Sequence, residues 1–207
     1  MEITALILLS GAVPPEDLSS FDPIICADSG YRSLDGTGVI PTILIGDMDS
    51  VGRRYLEHAV KAGVAIIPHD RDKDWTDGEL AVSRSLEMNV SEIVICGGLD
   101  GRLDHILSSF HLLNLIPPPV KGELRMGSSR VILLREGESI CLDGGSEIIS
   151  VLPSSDSCVV TERGFKWNLA RHRIEKGSTR GIHNEIVGKE AFIGIDEGCA
   201  YIVISTE

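Results

Sequence analysis

The chain has 207 residues, 43% of them apolar, so it can bury the core of one large domain or two small ones. Its formal net charge of −12 argues against a nucleic-acid partner held on a general basic face. No apolar run approaches the roughly 20 residues of a membrane-spanning helix, and Met1-Glu2-Ile3-Thr4 lacks the basic start of a signal peptide, so no membrane partner is expected. Five scattered cysteines (Cys26, Cys96, Cys141, Cys158, Cys199) are odd in number and lack metal spacing, which fits reduced thiols in the cytoplasm better than a disulfide framework.

In chain order, Ile3 to Leu9 reads as a strand covered on both faces. Similar runs follow at Ile24–Ala27, Ile43–Ile45, Val64–Ile67 and Ile93–Cys96. Helical patterns lie between several of them. Tyr55, Leu56, Ala59 and Val60 make one stripe, stopped by Gly63 at a C′-like position. Thr76 with Glu79 makes a capping box for the next helix, and Leu103, Ile106, Leu107, Phe110 and Leu113 form the clearest stripe. Strands alternating with helices predict a mostly parallel sheet flanked by helices on both faces.

Pro117-Pro118-Pro119 interrupts that alternation and sets the expected domain boundary, with an α/β domain over 1–120 and a smaller domain over 121–207. In the second part, short apolar runs such as Val131–Leu134, Ile148–Leu152 and Tyr201–Ile204 are separated by Gly, Ser and Asp. They predict an antiparallel β domain, a sandwich or partial barrel. Charge is uneven as well. Residues 1–120 carry 18 acids against 8 bases, while residues 121–207 carry 13 against 11.

Much of that excess sits just past strand ends. Asp28 follows the second run and Asp47 and Asp49 follow the third. Asp70, Asp72, Asp74 and Asp77 come after the fourth, and Gly97, Gly98, Asp100, Gly101, Arg102 and Asp104 after the fifth. In open parallel sheets, ligands bind beyond these carboxyl ends. Like charges repel unless a cation sits between them, and an all-oxygen cluster suits a hard ion such as Mg²⁺, which commonly accompanies phosphates. Asp77 and Asp104 are also placed where helix caps belong. Gly97-Gly98 and Gly101 let backbone approach a ligand, and Arg102 offers a planar fork to phosphate. GxxxxGK[ST] is absent, so this is not a P-loop.

Four segments taken together resemble the thiamine pyrophosphokinase family. They are Ala27-Asp28-Ser29-Gly30, Gly46-Asp47-Met48-Asp49-Ser50, Lys73-Asp74-Trp75-Thr76-Asp77 and Gly97 to His105. A fifth, Gly164-Phe165-Lys166-Trp167-Asn168-Leu169 followed by Asn184, lies in the second half. The resemblance implies an α/β catalytic domain, a β domain bearing the acceptor pocket, and a homodimer with shared active sites. It implies Mg²⁺-dependent transfer of a diphosphate from ATP to the hydroxyl of thiamine, releasing AMP. By motif, Asp47, Asp49 and Asp77 would hold the metal. Asp28, Lys73, Thr76, Gly98, Arg102 and Asp104 would line the ATP phosphates and the reacting hydroxyl. Trp167, His183 and Asn184 would contact thiamine. The stretch Ser178 to Asn184 departs from the family's Ser/Thr-rich pattern at Gly181-Ile182-His183. Diphosphoryl transfer to another small alcohol, such as a hydroxymethylpterin, is the alternative enzymatic reading. The non-enzymatic one is a nucleotide-binding regulatory module.

Overall fold

The computed structural model of the protein describes residues 2–72, 74–99 and 102–206. The chain divides into two compact units, one ending at Gly127 and the other beginning at Ser128. In the first, the five apolar runs become β1 (Thr4–Leu8), β2 (Ile24–Ala27), β3 (Ile43–Gly46), β4 (Ala65–Pro68) and β5 (Glu92–Gly97). With β6 (Lys121–Met126) they lie in the order β6-β5-β1-β2-β3-β4, and all five pairings are parallel. Leu6, Leu8, Cys26, Leu44, Val94 and Cys96 form one face, packed with Ala59 of α1 (Arg53–Ala62). Ile7, Ile25, Ile45, Ile93 and Ile95 alternate with them and are just as deeply buried on the opposite face. There, α2 (Asp77–Glu87) lies against β2 and β3. Burial on both faces is why these strands read as continuous apolar runs rather than alternating ones.

Strand order reverses at β1. The chain steps from β1 through β2 and β3 to β4 on one side, then returns to lay β5 and β6 on the other. Such a reversal opens a crevice past the carboxyl ends of the two central strands, here β1 and β5.

Three expectations need correction. The domain boundary falls after Gly127, not at residue 120, because the chain leaves the proline triplet to form a sixth parallel strand beside β5. In β6 burial alternates, with Leu124 and Met126 inside, so its sequence has the texture of the second part. In α1, Gly63 takes the expected left-handed C-cap, φ 77°, but Val60 is exposed. The strongest stripe is only half used within the chain. α3 (Leu103–His111) leaves Leu103 and Leu107 exposed at 69% and 58%, while the following 3-10 turn Leu112–Leu115 buries Leu112 and Leu113.

The second unit is antiparallel, as expected, and contains no helix among its described residues. Its strands are β7 (Ser129–Arg135), β8 (Ser139–Asp143), β9 (Ile148–Arg163), β10 (Leu169–Glu175), β11 (Asn184–Glu185) and β12 (Glu190–Ser205). β9 and β12, each 16 residues long, pair along their length with register shifts at Ile195/Glu197 and Gly198/Ala200. One half of β12 also pairs with β8 and the other with β7. β9 likewise takes β11 on its first half and β10 on its second. Bulges of this kind bend long strands and let one ribbon contribute to both layers of a sandwich. Ile149, Val151, Cys158, Val160, Ile193, Ile195, Ile202 and Ile204 fill the interior with Phe165.

Candidate active site

The loops after β2 and β3 bring three acids together. Asp28 directly follows β2, is buried, and opens a 3-10 turn with a left-handed backbone, φ 46°. Asp47 and Asp49 follow β3, and the Asp49 amide donates to Asp47 Oδ1 at 3.0 Å. One carboxylate oxygen from each of Asp28, Asp47 and Asp49 lies within 4.8 Å of the others. The Ser50 hydroxyl donates to Asp28 Oδ2. Asp28 Oδ1 is buried and has no hydrogen-bond partner among the described residues. Asp47 pushes the Asp49 carboxyl above the usual carboxylate range; desolvation, a hydrogen bond with Asp47 and the charge of Asp28 add to this, and Arg71, 3.8 Å away, opposes it.

Gly46 makes this crowding possible. At φ 144°, a Cβ on it would stand 3.1 Å from both Asp28 Cβ and Asp77 Cγ. Without a side chain there, the carboxylate at the start of α2 closes over the end of β3 toward Asp28.

Beside the acids runs a cleft of about 520 Å³, lined by Leu9 and Ser10 past β1, Asp28, Ser50, Thr76, Asp77, Gly98, Arg102, Asp104 and His105. Arg102 forks onto Asp104, with Nη2 2.6 Å from Oδ2 and Nε 3.2 Å from Oδ1. That hydrogen bond holds the Asp104 carboxyl below its ordinary range. Thr76 Oγ1 accepts from the Glu79 amide at 3.2 Å, and Glu79 Oε2 accepts from the Thr76 amide at 2.7 Å, completing the expected capping box. The N-caps of α2 and α3 are Thr76 and Arg102, so Asp77 and Asp104 are first-turn acids, not caps. Both still gain from the helix dipole. Gly98 has an internal reason to be glycine: a Cβ would come within 2.6 Å of the Gly11 carbonyl oxygen, where the loops after β1 and β5 meet.

In the second unit, Trp167 is 54% exposed, with Lys166 Nζ 4.8 Å from its ring centroid. Buried Asn184 clasps its backbone. Asn184 Oδ1 accepts from the Trp167 amide at 3.2 Å, and Nδ2 donates to the Trp167 carbonyl at 2.9 Å. Nδ2 also donates to Glu162 Oε2 at 3.2 Å. Glu162 is buried and burial pushes its carboxyl up to about 7, with the Asn184 hydrogen bond opposing.

Six of the residues expected at the site thus line one cleft: Asp28, Thr76, Asp77, Gly98, Arg102 and Asp104. Asp47 and Asp49 join it through Asp28. Among the described residues the trio in mutual reach is Asp28, Asp47 and Asp49, whereas the family resemblance implies Asp47, Asp49 and Asp77 as the metal set. Lys73, Asp100 and Gly101 lie outside the described residues. Trp167 and Asn184 are bonded together. His183 donates its amide to Ser150 Oγ at 3.1 Å, and its exposed ring enters none of these hydrogen bonds. Sequence reasoning overlooked Ser10, Ser50 as a partner of Asp28, and Glu162. A signal for Glu162 existed. It shares its parity along β9 with Cys158 and Val160, which points it into the core.

Residues 16–118 match the family model described as "Thiamin pyrophosphokinase, catalytic domain", and residues 139–200 match "Thiamin pyrophosphokinase, vitamin B1 binding domain". The thiamine pyrophosphokinase of Bacillus subtilis (strain 168) is 31% identical over 186 residues, spanning 88% of this chain and 87% of that protein. A crystal structure of thiamine pyrophosphokinase from Bacillus subtilis is similar with a TM-score of 0.86 at 26% identity over 99% of both chains. The thiamin pyrophosphokinase of Candida albicans has a TM-score of 0.85 at 16% identity over 100% of this chain and 90% of its own, a likeness of fold alone.

Proposed function

Because the chain belongs to the thiamine pyrophosphokinase family, we propose that it transfers a diphosphoryl group from ATP to the hydroxyl of thiamine, giving thiamine diphosphate and AMP. The observation that carries this reading is the meeting of Asp28, Asp47 and Asp49 beside a cleft that also holds Asp77, Arg102 and Asp104. A self-repelling acidic cluster next to a guanidinium suits a polyphosphate bound with a cation.

The donor set fits a hard divalent cation such as Mg²⁺. All its atoms are carboxylate oxygens, and one of them, Asp28 Oδ1, is buried and unpartnered among the described residues. Asp28, Asp47 and Asp49 would hold the ion, with Asp77 next to them. When bound, it would neutralise charge on the phosphate oxygens and make the β-phosphorus more electrophilic.

The remaining chemistry belongs to the chain. The acceptor hydroxyl oxygen attacks the β-phosphorus in line, and the bond from that phosphorus to the α–β bridging oxygen breaks, releasing AMP. Arg102 stabilises charge on the phosphate oxygens. In the free protein its fork rests on Asp104. When it turns to phosphate, Asp104 loses the bond that depresses its carboxyl and becomes the better acceptor for the hydroxyl proton. In the second unit, Trp167 presents an exposed indole as a wall for the acceptor's ring, and Asn184 holds that wall. The match to a vitamin B1 binding domain over residues 139–200 supports thiamine over a pterin as acceptor.

The protein works as a homodimer with shared active sites. The family resemblance supports this, as do Leu103 and Leu107, which leave an apolar row on α3 exposed. It resides in the cytoplasm, a reading supported by five unpaired cysteines. The deciding experiment mixes purified protein with ATP, Mg²⁺ and thiamine. AMP and thiamine diphosphate should appear in equal amounts. ADP or free phosphate in place of AMP, or AMP formed only with hydroxymethylpterin, refutes the proposal.

A further inference from the structure

Glu162 is an anomaly in the second unit. It sits on the inward face of β9, in line with Cys158 and Val160, and is 4% exposed. Opposite it in register are Leu169 on β10 and Ile193 on β12, both apolar. Burial pushes its carboxyl up to about 7, and among the described residues the Asn184 amide is what counters it. An acid in such a place is destabilising unless its oxygen has a task.

That task is visible in the hydrogen bonds of Asn184. A side-chain amide offers two donors and two acceptor positions. In Asn184 all four are used: Oδ1 accepts from the amides of Trp167 and Glu185, at 3.2 and 3.1 Å, and Nδ2 donates to the Trp167 carbonyl and to Glu162. Three of these partners are backbone groups in the two segments that Asn184 ties together. Glu162 is the one side chain, taking the last donor in a buried bond and setting the amide's direction. Lys166, beside Trp167, is tethered separately to Glu185 at 2.9 Å.

We propose that Glu162 is a positioning residue for the acceptor site, orienting Asn184 so that Asn184 fixes the backbone at Trp167 and hence the indole. This rests on the reading above that Trp167 is the acceptor's wall. Nothing in the proposal requires Glu162 to touch substrate.

The test uses two replacements of similar size, Glu162→Gln, whose amide oxygen still accepts from Asn184, and Glu162→Met, which accepts nothing of comparable strength. Both are made with Trp75→Phe, so that Trp167 is the only emitter. Without substrate, Glu162→Met should raise acrylamide quenching of Trp167 and lower its emission anisotropy. Its KM for thiamine should rise about tenfold while its KM for ATP stays put, with circular dichroism unchanged. Glu162→Gln should restore all of these to the parent values. If the two variants behave alike, whether both tight or both loosened, Glu162 is only a core residue and the proposal fails. A loosened Trp167 in Glu162→Met with an unchanged thiamine KM instead overturns the acceptor role of Trp167 and leaves the strut intact.

Discussion

The two chemically distinctive regions of this protein are built on opposite principles. In the α/β unit, Asp28, Asp47 and Asp49 crowd like charges together, and a buried oxygen of Asp28 lacks a partner among the described residues. In the β unit, every hydrogen-bonding position of Asn184 is used, and the exposed indole above it rests on that closed network. The first arrangement is unfavourable alone and would become favourable with the proposed cation and phosphate bound. The second is complete beforehand and offers a rigid apolar surface. Charge that must be neutralised during reaction calls for the former, and a ring that need only be held calls for the latter.

The comparison predicts that substitutions in the acidic cluster lower turnover, whereas those around Trp167 act on acceptor binding. The largest effect should come from Asp49→Asn. Losing one anionic ligand should reduce turnover by about 10²–10³-fold with circular dichroism unchanged. Thermal stability without metal should hold or rise, because the repulsion between Asp47 and Asp49 is relieved. Near-normal turnover in Mg²⁺ would remove the metal assignment.

Next in size is Arg102→Lys, for which a loss of roughly 10–100-fold is expected, since an ammonium cannot reproduce a two-pronged contact. The loss should fall on turnover if Arg102 meets charge that develops in the transition state, and on ATP affinity if it binds only the ground state. Unchanged kinetics on both counts would make the Arg102–Asp104 pair a surface ion pair and nothing more.

Trp167→Ala should raise the KM for thiamine about tenfold, equivalent to 1.4 kcal/mol, and leave the KM for ATP alone. If ATP affinity falls equally, the division of labour between the two regions is wrong.

The smallest effect is a pH slope. Glu162 is raised in the folded state to about 7, so between the unfolded value near 4.5 and that point the native state binds more protons. Stability must therefore fall as pH rises through this window, by about 1 kcal/mol between pH 5 and 6. Thermal unfolding at those two pH values should show the decline in wild type, and Glu162→Gln should show less of it. Equal slopes would mean that the carboxyl is not perturbed.

The two regions also differed in how far they could be read from sequence. Strand runs such as Ile24–Ala27 and the acids behind them were legible because buried parallel strands have a simple pattern and ligands collect at their carboxyl ends. The Thr76/Glu79 box is local and was equally plain. Residues whose role depends on distant partners were harder. β6 looked like part of the second domain because only alternate residues are buried, and parallel pairing with β5 leaves no local trace. The exposed row on α3 has the same periodicity as a buried one.

By itself, the sequence determined the chemistry available to this protein. Its short-range patterns specified an α/β unit with carboxylates at its strand ends, an arginine behind a glycine turn, and a β unit carrying one tryptophan. Only the tertiary structure decided the groupings. Among the described residues it brought Asp28 into reach of Asp47 and Asp49, and it drew Asp28 and Asp77 together over the space left open at Gly46. It also joined Glu162 to Asn184 across 22 residues of chain. Spacing along a chain constrains neighbours within one strand or helix turn. Which loops meet past the ends of a sheet, and which buried side chains bond, depends on strand order and packing, and these are properties of the whole fold.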